Sequence, residues 1–478
     1  MYFSLKVKVF CNLFALVFLF KAYGQNTNSI PLTLDKLIAS YHEKGLFNGS
    51  ILISANDTVL LKKAYGYSNI SWKNKNEIDT KMMLASLSKH FTANLILQLY
   101  QEKKIALNDS VHQHLIEFKN SPIGNLTIRQ LLSHTSGIKR DIFELAEETQ
   151  VFQPRREIYK ALIDSKLLFI PGSASSYSNT GYYLLSEIIE KVTNLSYNDA
   201  LCKLIFDPLE MNNSGFKNNS LVIPKLARGY EILLGEAIYG NIGHTSSGKG
   251  ASGIYSTVED IYKYELALQE YKLLSKETQQ LMSTPIKKGW GYGWKSRVVG
   301  KDSGGNNVHL TFHNGDAGGF ASQYLRYAPD HLTIIMLSNQ DVLPRSELFN
   351  QITTIINGKQ PKPIRFKTGD ELYKTALKEG TEEAYKKAVK HKQNGGRWPN
   401  PIRINFCGNQ LLKVERIKDA KIIHSLNMKL YPKHWLGYVA LGLILKDEGK
   451  IEEAKDLYLK VLDFDPKNSY AKRFLSEL

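Results

Sequence analysis

Ser86-Leu87-Ser88-Lys89 sets a hydroxyl and an ammonium three residues apart. On a helix, positions i and i+3 share a face. A serine in the first turn then has its hydroxyl beside the lysine and its backbone N–H open to donate. That is the setting of an activated nucleophile. Alone the pattern says little, because Ser136/Lys139, Ser246/Lys249 and Ser469/Lys472 share it. Tyr177-Ser178-Asn179 is the second element. A nearby cation favours a phenolate, so Tyr177 held near a lysine is expected to take the serine proton and pass it to a leaving group. Asn179 is placed to orient the lysine and bind a substrate carbonyl. Tyr67-Ser68-Asn69 has the same spacing but precedes Ser86, on a strand-like run. The third element, His313-Asn314-Gly315, closes another strand-like run and is followed by Asp316-Ala317-Gly318-Gly319. A strand edge beside the serine offers a backbone N–H to a developing oxyanion, and glycine allows close approach. Read in isolation, the tripeptide is a hairpin turn.

These groups need a scaffold. Leu32 to Leu46 has helical apolar spacing. Gly49–Ser54 and Thr58–Leu61 read as strands joined by the turn Ala55-Asn56-Asp57. Val308–Phe312, Ser322–Tyr327 and Leu332–Leu337 read as three more, the last two parted by Ala328-Pro329-Asp330. Strands at both ends of a segment predict one antiparallel sheet flanked by helices, with a helical insertion between, an α+β layout. Capping boxes are expected at Thr127/Gln130 and Ser256/Glu259.

The flanks of the motifs are longer than the motifs. They include Leu84 to Ala93, Leu131-Leu132-Ser133-His134-Thr135-Ser136-Gly137-Ile138, Phe169-Ile170-Pro171-Gly172, Tyr177 to Tyr182, Ala251-Ser252-Gly253-Ile254-Tyr255-Ser256-Thr257 and Gly291-Tyr292-Gly293-Trp294. In this order they resemble the class C β-lactamase-like serine hydrolases, a family that also holds esterases, D-aminopeptidases and D-alanyl-D-alanine carboxypeptidases. The resemblance runs from about Leu32 to Gly358. It implies an acyl-enzyme on Ser86, a Lys89 that eases proton transfer, and Tyr177 as general base or acid, alone or shared with Lys89. It also implies that Asn179 positions Lys89 and the substrate, and that the N–H groups of Ser86 and Asp316 form the oxyanion hole. Members that cleave β-lactams or D-alanyl peptides usually carry Lys-Thr-Gly at the third element. Here His313 stands in place of that lysine, and a neutral histidine attracts a carboxylate weakly. Esterase or D-peptidase activity is therefore expected ahead of β-lactam hydrolysis. His134 reads as packing or hydrogen bonding at a helix end.

The chain of 478 residues is long enough for two or three domains. Residues 1–24 read as a signal peptide: Lys6 and Lys8, an apolar run from Val9 to Phe20, then Ala22-Tyr23-Gly24. The run is too short to span a bilayer comfortably, so export to the periplasm or beyond is expected, with no membrane span after cleavage. Cys11 leaves with the leader, and Cys202 and Cys407 lie in different predicted domains, so no disulfide is expected. Residues 30–358 read as the hydrolase domain and 359–400 as a linker and helical segment. Over 401–478, Gly408, Leu411, Ala420 and Pro432 recur as Gly442, Leu445, Ala454 and Pro466, the period of about 34 residues of tetratricopeptide helix pairs. In the first copy Glu415 takes the inter-helix glycine position and His424 the aromatic one. These repeats are expected to dock on the hydrolase, stack with helices around Glu371–Lys390, or bind a protein partner.

The net charge of +16 comes from lysines scattered along the chain, without a basic block, so nucleic acid is not expected as a partner. No cofactor is expected: no phosphate-binding glycine loop is present, and His112-Gln113-His114 lacks a third metal ligand and reads as a solvated helix end. The expected substrate is a small or peptidic ester or amide. The competing reading is a slowly acylated receptor or scaffold whose repeats bind a partner.

Overall fold

The computed structural model describes residues 29–141, 152, 154–240, 248–301, 307–327, 331–364, 369–394 and 399–478. The expected leader, the turn at 328–330 and Ser246 lie outside them. The described chain forms two compact units. One contains the residues up to Glu231 with Tyr239–Lys362, the other Ile232–Ile238 with Pro363–Leu478.

In the first unit, helix α1 (Ser29–Glu43) buries Leu34, Leu37, Ile38 and Tyr41, the single stripe of an amphipathic helix. Strands β1 (Gly49–Ala55) and β2 (Thr58–Tyr65) follow. Asn56 and Asp57, both at positive φ, form the tight turn that suits the strand twist. The chain then runs through helix α2 (Ser88–Gln101), helix α3 (Asn179–Thr193) and helix α4 (Val258–Gln269). It returns to the sheet as β3 (Lys295–Lys301), β4 (Asn307–Ala317), β5 (Phe320–Tyr327) and β6 (Leu332–Ser338), before helix α5 (Arg345–Ile356). The sheet order is β3-β4-β5-β6-β1-β2, antiparallel throughout. The two ends of the segment meet where Ile51 faces Met336. Both of these strands are buried along their whole length, as expected where both faces of a sheet are covered.

Three expectations need correction. Strand β3 was not expected. Its sequence, Lys-Ser-Arg-Val-Val-Gly-Lys, is mostly exposed at the sheet edge and carries no clean alternation. The third motif does not end its strand: β4 continues to Ala317, and Gly318 and Gly319, both at positive φ, make the turn. The helix after Ser256 is capped by Thr257, whose side chain accepts from the Asp260 N–H. Ser256 is held in a short ladder opposite Met82, so its neighbour takes the cap. Thr127 and Gln130 do form a capping box.

In the second unit, helices α6 (Asp370–Glu379) and α7 (Thr381–Gln393) precede α8 (Pro401–Lys413), α9 (Ile417–Leu430), α10 (Trp435–Asp447), α11 (Ile451–Phe464) and α12 (Ser469–Ser476). One apolar core joins Ala376 and Ala384 with Ile404, Leu411 and Ile423, so α6 and α7 stack with the later helices. Two crossings repeat the same contact. A Cβ at Gly408 would stand 2.4 Å from the His424 ring, and one at Gly442 would stand 2.5 Å from Tyr458. Glu415 at φ 60° adopts the left-handed backbone that Gly449 adopts at φ 78°. That conformation is costly for a residue with a side chain.

Candidate active site

Ser86 lies in a single 3-10 turn, Ala85–Leu87, that leads into α2. Ala85 has φ 49°, a strained backbone for alanine, one residue before the serine. The turn is held from two sides. The Leu84 N–H donates to the Ile254 carbonyl, and the Leu84 carbonyl accepts from Ser322 Oγ at 2.8 Å. As a first-turn residue, Ser86 has an N–H with no intrahelical acceptor.

Lys89 is fully buried. Its Nζ donates to Ser86 Oγ at 3.2 Å, Asn179 Oδ1 at 2.7 Å and the Ala251 carbonyl at 2.8 Å. A shell of acceptors suits an ammonium, which has only donors. The same nitrogen lies 4.8 Å from the Tyr177 ring centroid and 5.6 Å from that of Tyr182. The lysine therefore faces the ring of Tyr177, a cation–π arrangement. This corrects the expected electrostatics of the phenol. Burial pushes the Tyr177 hydroxyl above its ordinary range, while the neighbouring Ser86 hydroxyl and the Arg140 charge pull the other way. Tyr177 is a neutral phenol at rest.

Asn179 starts α3, behind the N-cap Ser178, whose hydroxyl accepts from the Gly181 N–H. The Ser178 N–H donates to His134 Nδ1, which fixes that nitrogen as an acceptor. The His134 ring lies 4.5 Å from that of Tyr177 and holds it in place. The expected packing role of this histidine is what the geometry shows.

His313 on β4 is 4% exposed, and its ring packs near Tyr177, Trp290 and His90. Burial and the Lys89 charge push its pKa down to about 3, against the pull of the Asn314 carbonyl. It is neutral at physiological pH. The Asp316 carboxylate is paired with Arg345 at 2.6 Å, and its charge still helps to raise the Tyr177 hydroxyl. The same guanidinium donates to the carbonyls of Gly315 and Ser322 and clips β4 to β5.

The strand register says where the Asp316 N–H points. Ala317 and Phe320 flank the two-residue turn and exchange the first pair of hydrogen bonds. By alternation the N–H and C=O of Asp316 face away from β5. On that side β3 pairs with β4 only as far as Phe312. The donor therefore faces the cleft of about 270 Å³ that Ser86, Tyr177, Trp290, His313, Lys295 and Arg140 line. Gly315 beside it is sterically required: a Cβ there would stand 2.1 Å from the Leu84 carbonyl and 2.4 Å from Ser322 Oγ. Gly315→Ala is expected to push back the segment carrying Ser86 and slow acylation on the order of a hundredfold, the cost of an ångström-scale misplacement. Stopped-flow acylation rates of the folded variant check this.

Sequence reasoning brought Ser86, Lys89, Tyr177, Asn179, His313, Gly315 and Asp316 to one place. It assigned no role to Trp290, Arg140, Asp141, Lys295 or Arg345. The carbonyl of Ala251 and the Arg140-Asp141 pair lie in or just beyond segments whose resemblance had been noted, which was their only signal. His112 and His114 bond to the Gly124 carbonyl and to Asp109. Among the described residues no group of His, Cys, Asp and Glu could hold a metal ion, and no helix is long and apolar enough to cross a membrane.

A part-exposed serine with a buried lysine three residues on, under a tyrosine and beside strand β4, defines a serine hydrolase of the penicillin-recognising class. Comparison with known proteins agrees: the beta-lactamase family pattern matches residues 34–352. The chain belongs to the beta-lactamase family of serine hydrolases. It is 30% identical over 347 residues to protein flp of Staphylococcus aureus strain MRSA252, covering 70% of this chain and 68% of that one. Penicillin-binding protein 4* of Bacillus subtilis is 28% identical over 337 residues, covering 64% and 71%. The octameric penicillin-binding protein homologue of Pyrococcus abyssi superposes with a TM-score of 0.60 at 25% identity, covering 72% and 81%.

Proposed function

We propose that the chain hydrolyses an ester or amide through an acyl-enzyme on Ser86. The observation that carries this is the meeting of two distant motifs at one buried nitrogen: Lys89 Nζ bonds to Ser86 Oγ and Asn179 Oδ1 under the ring of Tyr177. Ser86 Oγ attacks the acyl carbon. Its proton passes to Tyr177 Oη as the phenol gives its own proton to the leaving group, so no standing phenolate is needed. The Lys89 charge stabilises the developing alkoxide. The N–H groups of Ser86 and Asp316 receive the carbonyl oxygen as it becomes an oxyanion. Water then reverses the sequence and frees the acid.

The proposed substrate is an ester or a D-amino-acid peptide. Neutral His313 in place of a lysine argues against efficient β-lactam hydrolysis. The basic, apolar N-terminus supports export to the periplasm or beyond. The repeated contacts Gly408–His424 and Gly442–Tyr458 support a tetratricopeptide-type reading of 401–478, with a protein partner as its proposed ligand.

Intact-mass labelling with a fluorophosphonate is expected to add one probe to the wild-type chain and none to Ser86→Ala. A panel of p-nitrophenyl esters, D-amino-acid amides and a chromogenic cephalosporin then sorts the substrate. A folded wild-type chain that neither labels nor turns over any of these sinks the proposal.

A further inference from the structure

The family motifs leave Asp141 without a role, yet it touches the catalytic group from outside. Its Oδ1 accepts from Asn179 Nδ2 at 2.6 Å, and its Oδ2 pairs with Arg140 Nε at 3.2 Å. The opposite end of the same amide, Asn179 Oδ1, accepts from Lys89 Nζ. An amide side chain is nearly symmetric in shape, and only its partners decide which end is oxygen. A carboxylate can only accept, so it selects the Nδ2 end. The lysine ammonium can only donate, so it needs the Oδ1 end.

We infer that Asp141 is a positioning residue, which orients Asn179 so that its oxygen holds Lys89 against Ser86. The inference rests on the acyl-enzyme reading above. Without Asp141 only Lys89 selects the orientation of the amide, and turned states in which Nδ2 faces Nζ, donor against donor, become easier to reach. Lys89 would lose one of the acceptors that aim it at Ser86 Oγ.

The backbone around the pair separates this role from folding. The Arg140 carbonyl accepts from the N–H groups of Asn179 and Thr180, and Ser178 Oγ donates to the Lys139 carbonyl. None of these bonds involves the Asp141 side chain, so the start of α3 stays anchored when that side chain is shortened.

The test is a double-mutant cycle on the full mature chain, read with p-nitrophenyl acetate and thermal melts. Asp141→Ala is expected to lower kcat about tenfold to a hundredfold, with little change in KM, as for a misplaced catalytic group. Asp141→Asn, which still presents an acceptor oxygen, is expected to recover most of that loss. In an Asn179→Ala background, Asp141→Ala is expected to cost no more than about twofold, since coupled residues are not additive. Three results overturn the inference: an Asp141→Ala chain with near wild-type kcat, an equal loss in both backgrounds, or no recovery with asparagine. A wild-type chain whose turnover survives Ser86→Ala fails earlier, and overturns the hydrolase reading along with this one.

Discussion

Lys89→Met is expected to lower kcat/KM by about a thousandfold or more while leaving a folded protein. The two halves of this expectation have separate causes. Lys89 is fully buried, so its charge carries a desolvation cost that its partners offset. Methionine has a similar length, and its thioether is accommodated by aromatic neighbours such as Tyr177 and Tyr182. Removing the charge lifts the desolvation cost. It also strands the oxygens of Asn179 and Ala251, at about 1–3 kcal/mol each. These effects oppose one another, and the melting temperature should move little. Catalysis has no such compensation. The ammonium holds Ser86 Oγ and faces the charge that develops there, and a thioether does neither. Circular dichroism melts beside ester turnover test both halves. A Lys89→Met chain that melts normally and keeps more than a tenth of its activity removes the lysine from the mechanism.

The candidate site was legible because its residues stand in short motifs whose order survives folding. Ser86, Lys89, Tyr177 and Asn179 converge as their spacing and order implied. What the sequence could not carry was the side from which each group is approached. The lysine was expected to act on the phenol hydroxyl, and it faces the ring instead. Asp141 bonds to Asn179 across 38 positions, and only the path of the chain brings them together. Gly315 announces a close approach, but nothing local says that the neighbour is the Leu84 carbonyl. The fold follows the same rule. Strands with buried residues, such as β1 and β6, show in the pattern. The edge strand β3 carries Lys295, Arg297 and Lys301 and does not. Ser256 and Thr257 are adjacent hydroxyls, and the ladder opposite Met82 decided which one caps the helix.

Three histidines at the heart of the first unit are expected to make it acid-labile well above the pH at which carboxylates titrate. His90 and His134 are 1% exposed and His313 is 4% exposed. Burial holds all three below the usual histidine range, His313 at about 3. Lys89 adds its repulsion in each case. Among the described residues neither ring nitrogen of His90 has a hydrogen-bond partner, nor does Nε2 of His134 or His313. The sign follows from the proton count. Below pH 6.5 the unfolded chain binds three protons that the folded unit does not, so stability falls as pH falls. It is fully present above the unfolded pKa and drains away down to the folded values. With an unfolded pKa near 6.5 and a folded value of about 3, going from pH 7 to pH 5 should cost about 2 kcal/mol through His313 alone, and His90 and His134 act in the same direction. That is already a sizeable part of the stability of an ordinary domain, which is about 5–15 kcal/mol. His90 stacks on Trp294 with ring centroids 3.8 Å apart. A His90→Phe chain keeps a ring in that place and is expected to show a shallower pH dependence than the wild type. Urea unfolding at pH 7, 6 and 5, followed by tryptophan fluorescence, measures the slope. A midpoint that stays constant over this range would mean that the histidines take up protons in the folded state. In that case the neutral state of His313, and with it the argument against carboxylate binding at the third motif, would also fall.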